Sequence, residues 1–145
     1  LMLIRPDRDD APSVPLGSAM DELLPLVEAQ TRLARNELRT ECDGAVFVPL
    51  RRDTFKFALL NLLMATHELL GEGGGALAVH CAADDGHIRI TIDAVHTSPR
   101  PPDAAAEAGL ARAVHTARAL ISGSGGRIDR RDHGVSVSLP RSTSA

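Results

Sequence analysis

Asp53-Thr54-Phe55-Lys56-Phe57-Ala58-Leu59-Leu60-Asn61-Leu62-Leu63-Met64-Ala65-Thr66-His67-Glu68-Leu69-Leu70 is the stretch from which the rest of the chain is read. Phe55, Ala58, Leu59, Leu62, Leu63, Thr66 and Leu70 recur at steps that stack side chains on one face of an α-helix. Phe57, Leu60 and Leu69 widen that face so far that the helix must be covered on most sides. Asp53 is placed to cap the free N–H groups at its start, and Gly71 lets the chain leave it at its end. Asn61 is a polar amide in otherwise apolar surroundings, and two readings stay open: a contact to a bound molecule, or a buried amide tying the helix to a loop.

Downstream, Gly73-Gly74-Gly75 leads into a strand over 76–81. A phosphate cradle would be followed by a helix, so this run reads as a connector. Asp85-Gly86 turns the chain into a strand over 87–95, where Ile88, Ile90 and Ile92 alternate with Arg89, Thr91 and Asp93. The two strands pair as a hairpin. Pro99, Pro101 and Pro102 make 97–103 a loop, after which Leu110, Ala113, Val114, Ala117, Leu120 and Ile121 mark another amphipathic helix. A last hairpin joins 127–130 to 135–139. Upstream, a helix runs from Ser18 to about Asn36, either kinked at Pro25 or regular only from Leu24. Strands over 38–42 and 46–49, joined by Asp43-Gly44, read as a further hairpin. The expected domain organisation is a flexible arm over 1–12 and one domain over 13–141. The expected fold class is α/β (α+β): a two-layer sandwich with a mixed, mostly antiparallel sheet and three helices on one face.

The 145 residues are 43% hydrophobic and 24% charged, a globular balance large enough for one core. Three Phe, no Trp, no Tyr and a net charge of −3 argue against nucleic acid as a partner, despite the local group Arg127, Arg130 and Arg131. Cys42 and Cys81 lie far apart without CxxC spacing, so neither a disulfide framework nor a zinc site is expected, and a reducing, cytoplasmic setting fits. The longest apolar run, 58–65, is too short for a bilayer, and no charged-then-apolar leader is read, so no membrane contact is expected.

Three strings carry a family resemblance. Val48-Pro49-Leu50-Arg51-Arg52-Asp53 running into Phe57-Ala58-Leu59-Leu60-Asn61-Leu62-Leu63 resembles the strand and N-box helix of the catalytic ATP-binding domain of bacterial sensor histidine kinases, the fold shared with gyrase B and Hsp90-type ATPases. Gly125-Gly126-Arg127-Ile128 is similar to that family's turn into its penultimate strand, and Gly134-Val135-Ser136-Val137-Ser138-Leu139-Pro140 to its last strand. The resemblance spans about Val14 to Pro140. It implies two N-box Asn one turn apart for Mg-ATP, an Asp for the adenine amino group, alternate glycines, and a long lid ending in a second glycine box.

Here Asn61 matches the first Asn and Ala65 stands at the second. Ala94 stands at the adenine Asp, with His96 and Ser98 at the glycines, and Asp93 is one residue off, which in a strand points to the other face. The lid shrinks to the segment between Val95 and Ala111, with Gly109-Leu110-Ala111-Arg112-Ala113 as a worn glycine box. Asn61 and Asp93 are thus expected as remnant cofactor-binding residues. No catalytic residue, no metal ligand and no cofactor is expected, the alternative being ATP with Mg. The same erosion resembles the kinase-like half of alphaproteobacterial histidine phosphotransferases, whose helical hairpin with the phosphorylated His does not precede Ser18. The implied role is a degenerate ATPase domain of two-component or phosphorelay signalling, binding a response regulator or a kinase dimerisation domain, with a homodimer compatible. Whether it is an enzyme stays open: the alternatives are a working ATP-dependent histidine kinase domain and an anti-sigma-type switch.

His67-Glu68 falls inside the N-box helix, so His67 reads as a plain helix-surface residue rather than a phosphoacceptor, and Glu68 as a solvated carboxylate rather than a general base. His80, His87 and His96 read as ordinary strand residues, because their spacing fits no common metal site.

Overall fold

The alternating isoleucines dictate the centre of the molecule. A computed structural model of the chain describes residues 12–42, 44–98, 101 and 103–142. The expected arm lies, up to Ala11, outside the described residues, as do Asp43, Pro99 and Pro102. In chain order the elements are β1 (Val14–Pro15), α1 (Leu16–Leu33), β2 (Glu37–Cys42), β3 (Phe47–Val48), α2 (Arg52–Glu68), β4 (Gly75–Ala83), β5 (His87–His96), α3 (Ala104–Ile121), a 3-10 turn (Ser122–Ser124), β6 (Arg127–Arg131) and β7 (Gly134–Pro140). Five strands form the main sheet in the order β2-β4-β5-β7-β6, and β1 and β3 form a separate pair.

β5 sits in the middle, antiparallel to β4 on one side and β7 on the other, with Ile90 opposite both Cys81 and Val137. Ile88, Ile90 and Ile92 are fully buried, as are Leu77, Val135 and Leu139 beside them. Leu59, Leu62 and Leu63 of α2, Leu23 and Val27 of α1, and Leu110 and Val114 of α3 complete one continuous cluster with them. Each such side chain contributes about 1.5–3 kcal/mol relative to exposure. Thr91, Ser136 and Ser138, at the alternate positions, remain partly open on the face that carries no helix. This is the two-layer sandwich with a mixed, mostly antiparallel sheet and three helices.

Both expected hairpins downstream of α2 form, but the one upstream does not. β2 runs parallel to β4, from Glu37 beside Ala76 to Cys42 beside Cys81, while β3 pairs with β1 through Val48 and Val14. The parallel register carries Leu38 and Cys42 alongside the buried Leu77 and Cys81, extending the core face by one strand. Gly44 does not turn a hairpin but packs on Gly17, where a Cβ would meet the Gly17 Cα at 2.7 Å. The same register overturns the expectation that the cysteines form no disulfide: Cys42 and Cys81 are joined in one, and the cytoplasmic inference loses that support. No helix among the described residues is long and apolar enough to cross a membrane.

Local signals differ in smaller ways. α1 runs unbroken through Pro25. Arg51 occupies the N-cap of α2 with no side-chain bond, and Asp53 lies in the first turn, where its charge complements the helix dipole. Asp84, rather than Asp85, holds the β4–β5 turn, its Oδ1 accepting from the N–H groups of Gly86 at 2.9 Å and His87 at 2.7 Å. Gly71 leaves α2 at φ +66°, as its position suggested. Gly75 must be glycine, because a Cβ there would run into the Val95 carbonyl.

Candidate functional site

Positions 57, 61, 64, 65 and 68 form a stripe along α2, and it faces a stripe on α3. Phe57, Asn61, Met64, Ala65 and Glu68, with Gly109, Arg112, Ala113 and Thr116, line a groove of about 460 Å³. Phe57 is 55% exposed although it is one of the few aromatic residues in the chain. α3 begins at Ala104 because the Asp103 Oδ1 caps it, accepting from the N–H groups of Ala105 at 2.9 Å and Ala106 at 3.2 Å. Gly109 therefore lies inside the helix and does not open it. The second wall of the groove is this helix, and none of the described residues between Thr97 and Asp103 lines it. The Asn61 amide makes no side-chain hydrogen bond among the described residues, and Arg112 forms no ion pair among them. Ala65 presents a methyl one turn from Asn61.

Asp93 lies elsewhere. Its neighbours Ile92 and Ala94 are buried toward the helices, so strand alternation sends Asp93 to the opposite face of the sheet. There its Oδ1 meets the Arg131 Nε at 3.0 Å, and both residues border a hollow with Val95, His96, Asp132 and His133. The structure thus does not bring Asn61 and Asp93 together. His96 donates from Nε2 to the Leu69 carbonyl at 3.0 Å, and its ring centroid is 5.4 Å from that of His133. An imidazole therefore fills the position where the resemblance implies a glycine. The other arginines of the basic group are also engaged, Arg127 with Asp129 and Arg130 with Glu107, each at 3.0 Å. His80 and His87 are exposed on their strands, and no group of three or more His, Cys, Asp or Glu among the described residues is arranged to hold a metal ion.

His67 is neither a phosphoacceptor on display nor a surface residue: it is buried, 7% exposed. Asn36, in the turn after α1, donates from Nδ2 to the His67 Nε2 at 3.0 Å and to the Gly71 carbonyl at 2.8 Å. Its Oδ1 accepts from the Gly75 N–H at 3.2 Å. Burial holds the His67 pKa below the ordinary imidazole value, outweighing the adjacent Glu68, which acts in the opposite direction. The sequence shows Asn36 only as a helix end and Arg112 only as part of the worn glycine box, with no role for either side chain. For Asn36 the available signal was a polar residue between a helix end and a strand, facing a glycine run across the fold.

No protein-family profile matches this sequence, and no curated protein does. Solved structures match strongly. The catalytic domain of the histidine kinase ThkA, in a nucleotide-free form, superposes with a TM-score of 0.67 at 21% identity, covering 89% of this chain and 94% of that one. The mycobacterial sensor histidine kinase MprB gives a TM-score of 0.63 at 18% identity over 89% of this chain and 97% of its own. ThkA in complex with the response regulator protein TrrA gives 0.65 at 21%, over 90% of this chain and 41% of that one. The chain therefore has the fold of the catalytic ATP-binding domains of sensor histidine kinases.

Proposed function

We propose that this domain is a protein-binding module of two-component or phosphorelay signalling that keeps the kinase ATPase fold without a working nucleotide site. The observation that carries this reading is the separation of Asn61 from Asp93, one in the α2–α3 groove and the other ion-paired on the far face of the sheet. Methyl groups at Ala65 and Ala94 offer no ligand to a magnesium ion and no acceptor to an adenine amino group. The residues present do not fit Mg-ATP.

The groove is the docking surface of this reading. Phe57, Met64, Ala65 and Ala113 supply apolar contact, and Arg112 supplies a cation without an ion-pair partner among the described residues. An amphipathic helix with an acidic residue beside its apolar stripe complements both. In this reading the helix is supplied by a response regulator or a kinase dimerisation domain, and the complex of ThkA with TrrA is a precedent for a protein of this fold in a regulator assembly. Isothermal titration with Mg-ATP and with ADP tests the reading. No saturable heat is expected; binding tighter than about 0.1 mM, about −5.5 kcal/mol, would instead make this a working catalytic domain. A sigma factor, rather than a response regulator, co-purifying with the protein would move it to the anti-sigma class.

A further inference from the structure

We propose that Asn36 and His67 form a proton-sensitive latch on the glycine loop that joins α2 to β4. The chemistry of the carboxamide fixes the state of the imidazole. Because the Asn36 Oδ1 takes the Gly75 N–H, both hydrogens of Nδ2 are directed at the Gly71 carbonyl and the His67 Nε2. Nε2 must then present a bare lone pair, so His67 is neutral with its proton on Nδ1. A proton arriving at Nε2 would set N–H against N–H. The amide cannot turn over to accept it, since that would aim Nδ2 at the Gly75 N–H and Oδ1 at the Gly71 carbonyl.

The bracket around this contact is short and made of single bonds. The Gly73 N–H donates to the Ala34 carbonyl at 2.7 Å, the Thr97 N–H to the Gly74 carbonyl at 2.8 Å, and His96 reaches the Leu69 carbonyl. Asn36 hydrogen-bonds both ends of the loop, at Gly71 and Gly75. The charged groups nearby do not replace it. Glu68 in α2 favours the imidazolium but is outweighed by burial. Arg35 and Glu72, flanking the turn, pair with each other at 3.8 Å, and Glu37, opening β2, pairs with Arg39 at 3.0 Å. Proton uptake by His67 therefore frees the loop and the last turn of α2. That turn carries Glu68, a wall of the groove, so pH would also tune docking; this consequence rests on the proposed docking reading, whereas the latch does not.

A pH titration of the histidine Cε1–H signals and backbone amides by NMR, on the protein alone, tests it. His67 is expected to titrate below the ordinary value of about 6.5, and the Gly73 and Gly75 amides to lose exchange protection with the same midpoint. Asn36→Asp should raise that midpoint by one pH unit or more, about tenfold in proton affinity, because a carboxylate stabilises the imidazolium. His67→Gln, which keeps an acceptor and cannot titrate, should leave Gly75 insensitive to pH. An ordinary midpoint for His67, glycine amides that ignore it, or a Gly75 response that survives in His67→Gln would overturn the latch. None of these readings involves a partner, so they leave the groove untouched.

Discussion

Arg52 is 8% exposed, unusual for a guanidinium, and its position is explained by what it holds. Nη1 donates to the Glu22 carboxylate at 3.1 Å and Nη2 to the Ser18 hydroxyl at 2.9 Å, tying the first residues of α2 to the first turns of α1. Lys56 reaches the same carboxylate at 2.9 Å, but from a more open position. Arg52→Ala should lower the unfolding free energy by about 1.5–3 kcal/mol, read from urea midpoints, whereas Lys56→Ala should change it far less. Equal losses would mean that the buried bonds of Arg52 carry no special weight. In the sequence Arg52 is only the second of two adjacent arginines, and its partners lie 30 and 34 residues away. Asn36 is hidden for the same reason, since His67 is 31 residues on. Asp103, whose carboxylate caps the N–H groups two and three residues further along, works locally and is open to a sequence reading; side chains that work across the fold are not.

β2 illustrates the same limit in an element. Its neighbours in the sequence suggested a hairpin, because Asp43-Gly44 is turn chemistry and pairing with the next strand is the default. The alternation Leu38, Thr40, Cys42 fits a hairpin and a parallel edge strand equally well, and only the contact with Leu77, Val79 and Cys81 decides between them. The β4–β5 and β6–β7 hairpins were legible because their turns and alternation agree with their tertiary neighbours. The disulfide closes a separation of 39 residues. It should block alkylation of both cysteines in unreduced protein, and replacing the pair by Cys42→Ala with Cys81→Ala should lower stability by about 3–4 kcal/mol. Two free thiols under non-reducing conditions would contradict the pairing. In α2 the periodicity revealed the helix and its buried face, but not that Phe57 would stand half outside it. Phe57→Glu should therefore leave the thermal midpoint nearly unchanged while abolishing partner docking, measured by titration against the isolated receiver and dimerisation domains of candidate partners. Unchanged binding by this variant would remove the groove from the proposed function.

Taken together, the titrating groups fix how the molecule answers to acid. His67 has a folded pKa below its unfolded one, so the unfolded chain takes up its proton first as pH falls past about 6.5. Stability should then decline between that pH and the lowered folded value, and level off below it. Glu22 is held low chiefly by the hydrogen bond from Lys56 and then by Arg52, and Asp84 chiefly by the Gly86 N–H and then by that of His87. Their contribution is present above the ordinary carboxylate range and is lost as pH falls through their lowered folded values. Both carboxylates face solvent, so this second loss should be the smaller and should fade with added salt. Urea midpoints measured from pH 8 to pH 3 should accordingly show two separated declines. The first depends on a neutral imidazole locked in the sandwich, and it should vanish in His67→Gln and reverse in Asn36→Asp. Salt should leave it in place, because desolvation, not a surface charge, sets it. A profile flat from pH 7 to pH 5, or a first decline that salt removes, would show that His67 is open to water and that the bridge to Asn36 does not hold the loop.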